Sequence, residues 1–96
     1  MGRSKKLYGI ADLSHKEQEQ SNIFRREYYK IKEEKYGIEI IKKCKNESIE
    51  NKEIRMIEKD EKKINNLLNI LKRNKVTPIE VEYILEDLNY NITDMV

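Results

Sequence analysis

The stretch FRREYYKIKEEKYGIEIIKKC, residues 24–44, decides the fold class because it is consistent with two different structures. As a β-hairpin, it places Tyr29 and Ile31 on one face of the first strand. The segment EEKYG then forms the turn region, where Gly37 is free to adopt a positive φ. The second strand places three side chains on a common face, namely Ile38, Ile40 and Cys44.

The competing interpretation is a helix over residues 14–36. Ser14 and Glu17 have the spacing of a capping box, and Gly37 would end the helix. Three apolar residues also recur at helical spacing, namely Phe24, Tyr28 and Ile31. Period alone does not settle short mixed runs, so both interpretations stay open here and the hairpin is favoured.

The segments on either side of this stretch are shorter. KKLYGIADL, residues 5–13, predicts a strand, and the polar segment that follows it predicts a loop. NESIEN, residues 46–51, is rich in turn formers and predicts a turn. KEIRMIEK, residues 52–59, predicts a further strand with Ile54 and Met56 on one face.

From Asp60 onward the apolar period changes to 3.6, which predicts a helix with Asp60 as its N-cap. Four residues form a stripe of the width expected for a core-facing helix, namely Ile64, Leu67, Leu68 and Leu71. Lys72, Arg73 and Lys75 suit the C-terminal end of the helix dipole. Asn74 is expected to adopt the left-handed conformation that ends the helix.

Local signals at Thr77 predict a second helix over residues 78–88. Thr77 and Glu80 have capping-box spacing, and Pro78 falls at the first helical position, where it needs no N–H. Val76 and Val81 have the spacing of a hydrophobic staple. The predicted core stripe of this helix consists of Val81, Ile84, Leu85 and Leu88.

Strands therefore precede helices, which predicts an α+β fold: a small antiparallel sheet of three or four strands with a C-terminal helical hairpin packed on it. Residues 1–96 are expected to form one small domain. Within it we assign a variable N-terminal segment to 1–22, strands to 23–58, two helices to 60–89 and a fraying tail to 90–96.

Composition limits the chemistry that this chain can perform. Cys44 is the only cysteine and His15 the only histidine, so the 96 residues cannot form an internal disulfide or assemble a zinc site. Three glycines provide no phosphate-binding loop. We therefore predict a non-enzymatic protein with no catalytic residues, no metal, no other cofactor and no small-molecule substrate.

The chain is polar, with 38 % hydrophobic and 40 % charged residues, but its apolar residues are clustered and periodic, which argues against disorder. No apolar run approaches the roughly 18 residues of a membrane span, and the N-terminus has no signal-peptide core. We therefore expect a cytoplasmic protein with no membrane partner.

Charge is unevenly distributed along the chain. Residues 1–35 hold nine Lys or Arg and six Asp or Glu, whereas residues 60–96 hold five and seven. Residues 76–96 contain no Lys or Arg at all. The last predicted helix lies within this range, so it carries acidic residues and no cation, and the phosphates of DNA would repel it. We therefore reject a helix-turn-helix in which the last helix enters the major groove.

Three blocks of sequence resemble a family of short clostridial proteins known only as a domain of unknown function. The blocks are YGIEI (36–40), IRMIEKDEKKINNLL (54–68) and RNKVTPIEVEYILEDL (73–88), and EYYKIKEE precedes them. Together they span roughly two thirds of the chain. The resemblance implies the order strand, strand, helix, helix and favours the hairpin, and it implies no activity.

Two functions from different classes remain. The first is a protein-interaction or regulatory module that binds another protein or itself through a partner face on the side of the last helix away from its core stripe, namely Ile79, Tyr83 and Tyr90. The second is a nucleic-acid-binding protein with a basic, aromatic face. Its cations would be Arg3, Lys5, Lys6, Arg25, Arg26, Lys42, Lys43 and Lys45, interleaved with Tyr8, Tyr28 and Tyr29.

Overall fold

The computed structural model describes residues 3–12, 24–45 and 47–90. Over these residues the chain forms four strands and then two helices: β1 (Ser4–Asp12), β2 (Phe24–Lys32), β3 (Tyr36–Cys44), β4 (Glu47–Glu58), α1 (Glu61–Arg73) and α2 (Val81–Asp87). The strands form one antiparallel sheet in the order β1-β2-β3-β4. The predicted α+β class, with helices following a small antiparallel sheet, is confirmed.

The hairpin interpretation of residues 24–44 is also confirmed. β2 and β3 pair without a bulge from Phe24↔Cys44 to Lys32↔Tyr36, and the turn between them is Glu33–Lys35. The helical alternative is therefore wrong for residues 24–36. Its proposed start at Ser14 lies outside the described residues, as does the predicted tail beyond Tyr90.

The two faces of the sheet have different environments, and the strand register decides which residue lies on which face. Tyr28 pairs with Ile40, and both side chains lie on the face covered by the helices, which we call the helix face. Tyr29 and Ile31 therefore share the opposite face, which we call the outer face. Each predicted set does share one face of its strand. The set on β2 lies on the outer face, and the set on β3, namely Ile38, Ile40 and Cys44, lies on the helix face.

The core lies between the helix face and the two helices. It consists of the buried residues Ala11, Tyr28, Ile38, Ile40, Ile54, Ile64, Leu67, Leu68, Leu71, Val76, Val81 and Leu85. Tyr28 links the sheet to the loop between the helices, because its hydroxyl donates to the carbonyl oxygen of Val76 at 2.9 Å. Burial raises the pKa of Tyr28 to about 12, so this hydroxyl keeps its proton under ordinary conditions.

Gly37 is needed for close approach to β4, and the prediction that it adopts a positive φ is wrong. It is the second residue of β3, and no described glycine has a positive φ. A Cβ on Gly37 would lie 2.5 Å from the carbonyl oxygen of Ile54 and 2.8 Å from the Cα of Arg55. The neighbouring strand therefore leaves no space for a side chain at this position.

The close approach coincides with a β-bulge at Met56. The pairing of β3 with β4 shifts between Tyr36 and Ile38, and Met56 has a φ of 57°. This left-handed conformation disturbs the alternation of side chains. Ile54 is consequently buried in the core, which Ile57 also contacts, while Met56 is 38 % exposed, so the prediction that Ile54 and Met56 share one face is wrong.

Replacing Met56 with glycine is expected to stabilise the protein relative to Met56→Ala by about 1 kcal/mol, because a left-handed φ costs a residue with a Cβ roughly that amount. Both variants remove the same exposed side chain, so the difference between them isolates the backbone term. Equilibrium urea unfolding measures it. An alanine variant as stable as the glycine variant would show that the bulge carries no strain.

Residues 47–51 do not form the predicted turn, because β4 begins at Glu47. Lys45, with a φ of 55°, reverses the chain, and Asn46 lies outside the described residues. Cys44 then pairs with Glu47 and Lys42 with Glu50. Pairing with β3 outweighs the turn propensity of this segment, as is common for strands.

Helix α1 follows its prediction except at its end. The Asp60 carboxylate accepts the Lys62 N–H at 3.0 Å, and the predicted four-residue stripe is buried. Asn74 is not left-handed, since its φ is −93°; Lys75 has that role, with a φ of 52°. Asn74 instead donates from its side-chain amide to the carbonyl oxygen of Ile70 at 2.9 Å.

Helix α2 is shorter than predicted. The capping box forms around a turn at residues 78–80, and regular α-helix begins only at Val81. Val81 and Leu85 are buried and Ile84 is half-buried, but Leu88 is 42 % exposed because it follows the last helical residue. Leu88 is therefore not a core residue. Among the described residues, neither helix is long and apolar enough to cross a membrane.

Candidate functional site

Ile79 and Tyr83 form an exposed apolar pair beside α2. Their exposed fractions are 65 % and 69 %, the largest among the described large hydrophobic residues. Ile79 lies in the turn that precedes α2, and Tyr83 lies in the first turn of α2, four positions later in the sequence. Both residues belong to the predicted partner face.

Tyr90 lies elsewhere. It is half-buried against the core cluster, and its N–H donates to the carbonyl oxygen of Leu85 at 2.9 Å. Burial, together with the nearby Glu58 carboxylate, raises the pKa of Tyr90. The structure therefore exposes Ile79 and Tyr83 at the start of α2 and places Tyr90 against the core.

The turn that contains Ile79 is closed by two hydrogen bonds between the residues that flank it, Thr77 and Glu80. The Thr77 N–H donates to the Glu80 carboxylate at 3.0 Å, and the Glu80 N–H donates to the Thr77 hydroxyl at 3.2 Å. Val76 and Pro78 on the same segment are buried. This reciprocal capping fixes the local backbone, so Ile79 is presented on an ordered support.

The surroundings of the pair are acidic. Glu80, Glu86 and Asp87 are exposed, and we call them, together with Ile79 and Tyr83, the α2 surface. Glu82 faces the sheet, since its carboxylate pairs with the Lys52 ammonium group at 2.8 Å. Because residues 76–96 contain no cation, the α2 surface combines an apolar centre with carboxylates only.

The predicted basic face does not form one surface, because the strand register divides its residues. Arg26 and Lys42 are a cross-strand pair on the helix face, where Arg26 is 8 % exposed and the Lys42 ammonium group lies 5.1 Å from the centre of the Phe24 ring. Lys6 also lies on the helix face, at the far end of the sheet, and Lys45 lies in the turn before β4. The remaining predicted cations lie on the outer face, namely Arg3, Lys5, Arg25 and Lys43.

Two of these outer-face cations are paired with Glu27. Its carboxylate is buried and accepts hydrogen bonds from Arg25 at 2.9 Å and from the Tyr29 hydroxyl at 2.8 Å; Lys43 lies 3.3 Å away. Burial raises the pKa of Glu27, but the hydrogen bonds from Tyr29, Arg25 and Lys43 outweigh it, so the pKa lies below its ordinary value. The hydrogen-bond and ion-pair partners of the Glu27 carboxylate, namely Arg25, Tyr29 and Lys43, are therefore all side chains of the protein itself.

The other two cations are paired in the same way. The Lys5 ammonium group donates to the buried carboxylate of Glu39 at 2.6 Å, and the Asn51 amide donates to the other oxygen at 3.0 Å. Arg3 pairs with Glu53. The four predicted cations on the outer face are thus each paired with a carboxylate.

Glu27→Gln is expected to reduce stability at neutral pH, and the difference from wild type should shrink on acidification. The folded-state pKa lies below the unfolded value of 4.5, so the stabilising contribution is present above pH 4.5 and disappears as the pH falls through the folded pKa. Urea unfolding at several pH values measures this. Glu86→Gln, at an exposed site on α2, is the control, and a Glu27→Gln deficit that does not change with pH would contradict the assignment.

The sequence analysis missed a concave site at one end of the sheet. A cavity of about 270 Å³ lies at the end of the sheet nearest the start of α1, and it is lined by Ser4, Lys6, Lys30, Lys32, Tyr36 and Glu61. Lys30 and Lys32 alternate along β2 and so share the helix face, which is a signal that the sequence does contain. Their proximity to Lys6 depends on the register of β1 against β2.

The structure describes Cys44 but not the single histidine of the chain. Cys44 is a half-buried free thiol at the end of β3, and His15 lies outside the described residues. Within residues 3–12, 24–45 and 47–90, no three His, Cys, Asp or Glu side chains are grouped so as to hold a metal ion.

Comparison with known proteins gives a family but no described activity. Neither the curated proteins nor the solved structures contain a match to this chain. One family model does match, over residues 5–91, and its description is a family of unknown function (DUF6514). This match runs from the second residue of β1 through both helices, and the chain therefore belongs to the family of unknown function DUF6514.

Proposed function

We propose that this chain is a small non-enzymatic module that binds another protein through the α2 surface. The observation that carries the proposal is the exposure of Ile79 and Tyr83 on a capped, ordered segment. Aromatic residues are enriched at protein interfaces because they bury a large area at a low entropy cost. A monomer gains nothing from two adjacent large apolar side chains that are both about two-thirds exposed.

The charge around this pair indicates what kind of partner it fits. Glu80, Glu86 and Asp87 surround an apolar centre, so the complementary partner has an apolar pocket with a cationic rim. A short helix that inserts an apolar side chain into a groove is a common mode of recognition. The same acidic rim disfavours nucleic acid and an identical α2 surface, because both would bring like charges together.

Two further features support a binding role without catalysis. The two buried carboxylates, Glu27 and Glu39, already receive their hydrogen bonds from protein side chains. A catalytic carboxylate must instead reach the proton of a substrate. The only cysteine, Cys44, is a free thiol, which fits a proposed location in the reducing cytoplasm.

Tyr83→Ala is expected to weaken binding to the partner about tenfold or more, because a central exposed aromatic residue is a typical interface hot spot. The partner is first captured by the full chain from a clostridial lysate, the source that the sequence resemblance favours. Its affinity for purified variants is then measured by calorimetry. Tyr8→Ala is the matched control, since Tyr8 is an exposed tyrosine on β1, away from α2.

Equal affinities of the Tyr83→Ala and wild-type chains would contradict the proposal. A nucleic-acid function has its own test, which is a titration against genomic DNA fragments at low and moderate salt. Salt-sensitive binding that is lost when Lys42, Lys43 and Lys45 are replaced by Glu, and kept in Tyr83→Ala, would favour nucleic acid over a protein partner. Self-association through another surface is measured by sedimentation of the full chain.

A further inference from the structure

The cavity at the start of α1 has an unusual concentration of positive charge. Its lining contains three lysines, Lys6, Lys30 and Lys32, and one carboxylate, Glu61, so its formal charge is +2. Two hydroxyl groups complete the lining, those of Ser4 and Tyr36. The cavity measures about 270 Å³, which is room for a small ligand.

Lys30 is held firmly in this cavity. Its ammonium group donates to the Glu61 carboxylate at 2.7 Å and to the Asn65 side-chain oxygen at 2.9 Å, and it lies 5.7 Å from the centre of the Tyr36 ring. Its side chain is 17 % exposed. Among the described residues that line the cavity, Glu61 is the only carboxylate, and it is already engaged by Lys30 and by the Tyr36 hydroxyl.

The Glu61 carboxyl, whose pKa is lowered mainly by the hydrogen bond from Lys30, also feels the Lys32 charge from farther away. Neither Lys6 nor Lys32 forms an ion pair with any residue that the structure describes, and both are exposed. Lys6 is also the direct cross-strand partner of Lys30. Like charges placed directly opposite each other on adjacent strands destabilise a sheet. The Glu61 carboxylate offsets part of the repulsion between Lys6 and Lys30, and a bound anion would offset the rest.

We propose that this cavity is a binding site for a small ligand with a dianionic phosphate group. Lys6 and Lys32 supply ammonium groups that form no direct ion pair with a described residue, and the Ser4 hydroxyl supplies a neutral donor. The volume fits free phosphate or a small phosphate monoester and not an extended polymer. The site goes beyond the protein-binding role of the α2 surface, because it lies at the opposite end of α1, a helix about 20 Å long.

The test is a titration of the full chain followed by NMR of backbone amides, with the ionic strength held constant by sodium chloride. Inorganic phosphate and glycerol phosphate are the two probes, and tighter binding of the second assigns the site to a phosphate monoester. We expect saturable shifts confined to the amides of β1, β2 and the start of α1. Lys32→Gln and Lys6→Gln should each weaken binding about tenfold, since each removes a charge-assisted hydrogen bond.

Arg73→Gln is the matched control, because it removes one cation from the last turn of α1, away from the cavity. Its affinity for phosphate should equal that of wild type. Lys6→Gln provides a readout without ligand: its melting temperature should equal or exceed that of wild type, because the repulsion with Lys30 is gone. Amide shifts that do not saturate, or that lie outside the cavity, would overturn the site. An equal loss of phosphate affinity in Arg73→Gln and Lys32→Gln would also overturn it.

Discussion

Replacing Leu68 with alanine is expected to lower the free energy of unfolding by roughly 2–5 kcal/mol. Leu68 is fully buried where α1 packs on the helix face, so the shorter side chain leaves a cavity. A domain of 96 residues has about 5–10 kcal/mol of stability in total. The variant should therefore be marginally folded, which equilibrium urea unfolding followed by circular dichroism would measure.

Leu88→Ala is the control for this loss. It makes the same chemical change at a residue that the helical pattern assigns to the core but that is 42 % exposed. The expected cost is within about 0.5–1 kcal/mol, as for most surface substitutions. Losses of equal size at the two positions would contradict the packing of the helices described above.

Gly37→Ala is expected to cost about 3 kcal/mol, at the upper end of the range for overpacking. The new Cβ would lie 2.5 Å from the carbonyl oxygen of Ile54, and backbone cannot move aside without breaking the pairing of β3 with β4. Urea unfolding measures the cost, and hydrogen exchange of β4 amides shows whether this strand is the one displaced.

Gly9→Ala is the matched control on β1. There the nearest atoms to a new Cβ are the Lys72 Cδ at 2.7 Å and Cε at 2.8 Å, which belong to the far end of a flexible side chain. The side chain can move away, so the expected cost is well below that of Gly37→Ala. If both variants were equally stable, the close approach of β4 to Gly37 would not be a constraint on the fold.

The sequence predicts those parts of the fold that depend on interactions between residues close together in the chain. The stripe of Ile64, Leu67, Leu68 and Leu71 defines α1 because helical periodicity is local, and Asp60 marks its start by a hydrogen bond to the second residue of that helix. The capping box of Thr77 and Glu80 is predicted for the same reason.

The bulge at Met56 and the strand at residues 47–51 are not predictable in this way. Met56 has no sequence feature of a left-handed residue, and its conformation follows from how β4 passes Gly37. The turn formers in residues 46–51 compete with pairing to β3, and the pairing prevails. Both outcomes depend on contacts between strands, which local propensity does not contain.

The same distinction applies to the candidate sites. Ile79 and Tyr83 follow from helical spacing, whereas the position of Tyr90 depends on how the chain leaves α2. The basic residues predicted as one face are divided because adjacent strand residues point to opposite sides. The cavity with Lys6, Lys30 and Lys32 needs the β1–β2 register, which a shift of one residue would abolish.

Photo-crosslinking from position 83 tests the proposed role of the α2 surface most directly. Tyr83 is replaced by a photoreactive phenylalanine analogue in cells that produce the full chain, and Ile49, which is 50 % exposed on β4, carries the same analogue in the control. The account predicts one dominant protein adduct from position 83, removed by excess unmodified chain and kept in the presence of excess Tyr83→Ala chain. No adduct from position 83, or equal adducts from positions 83 and 49, would contradict it.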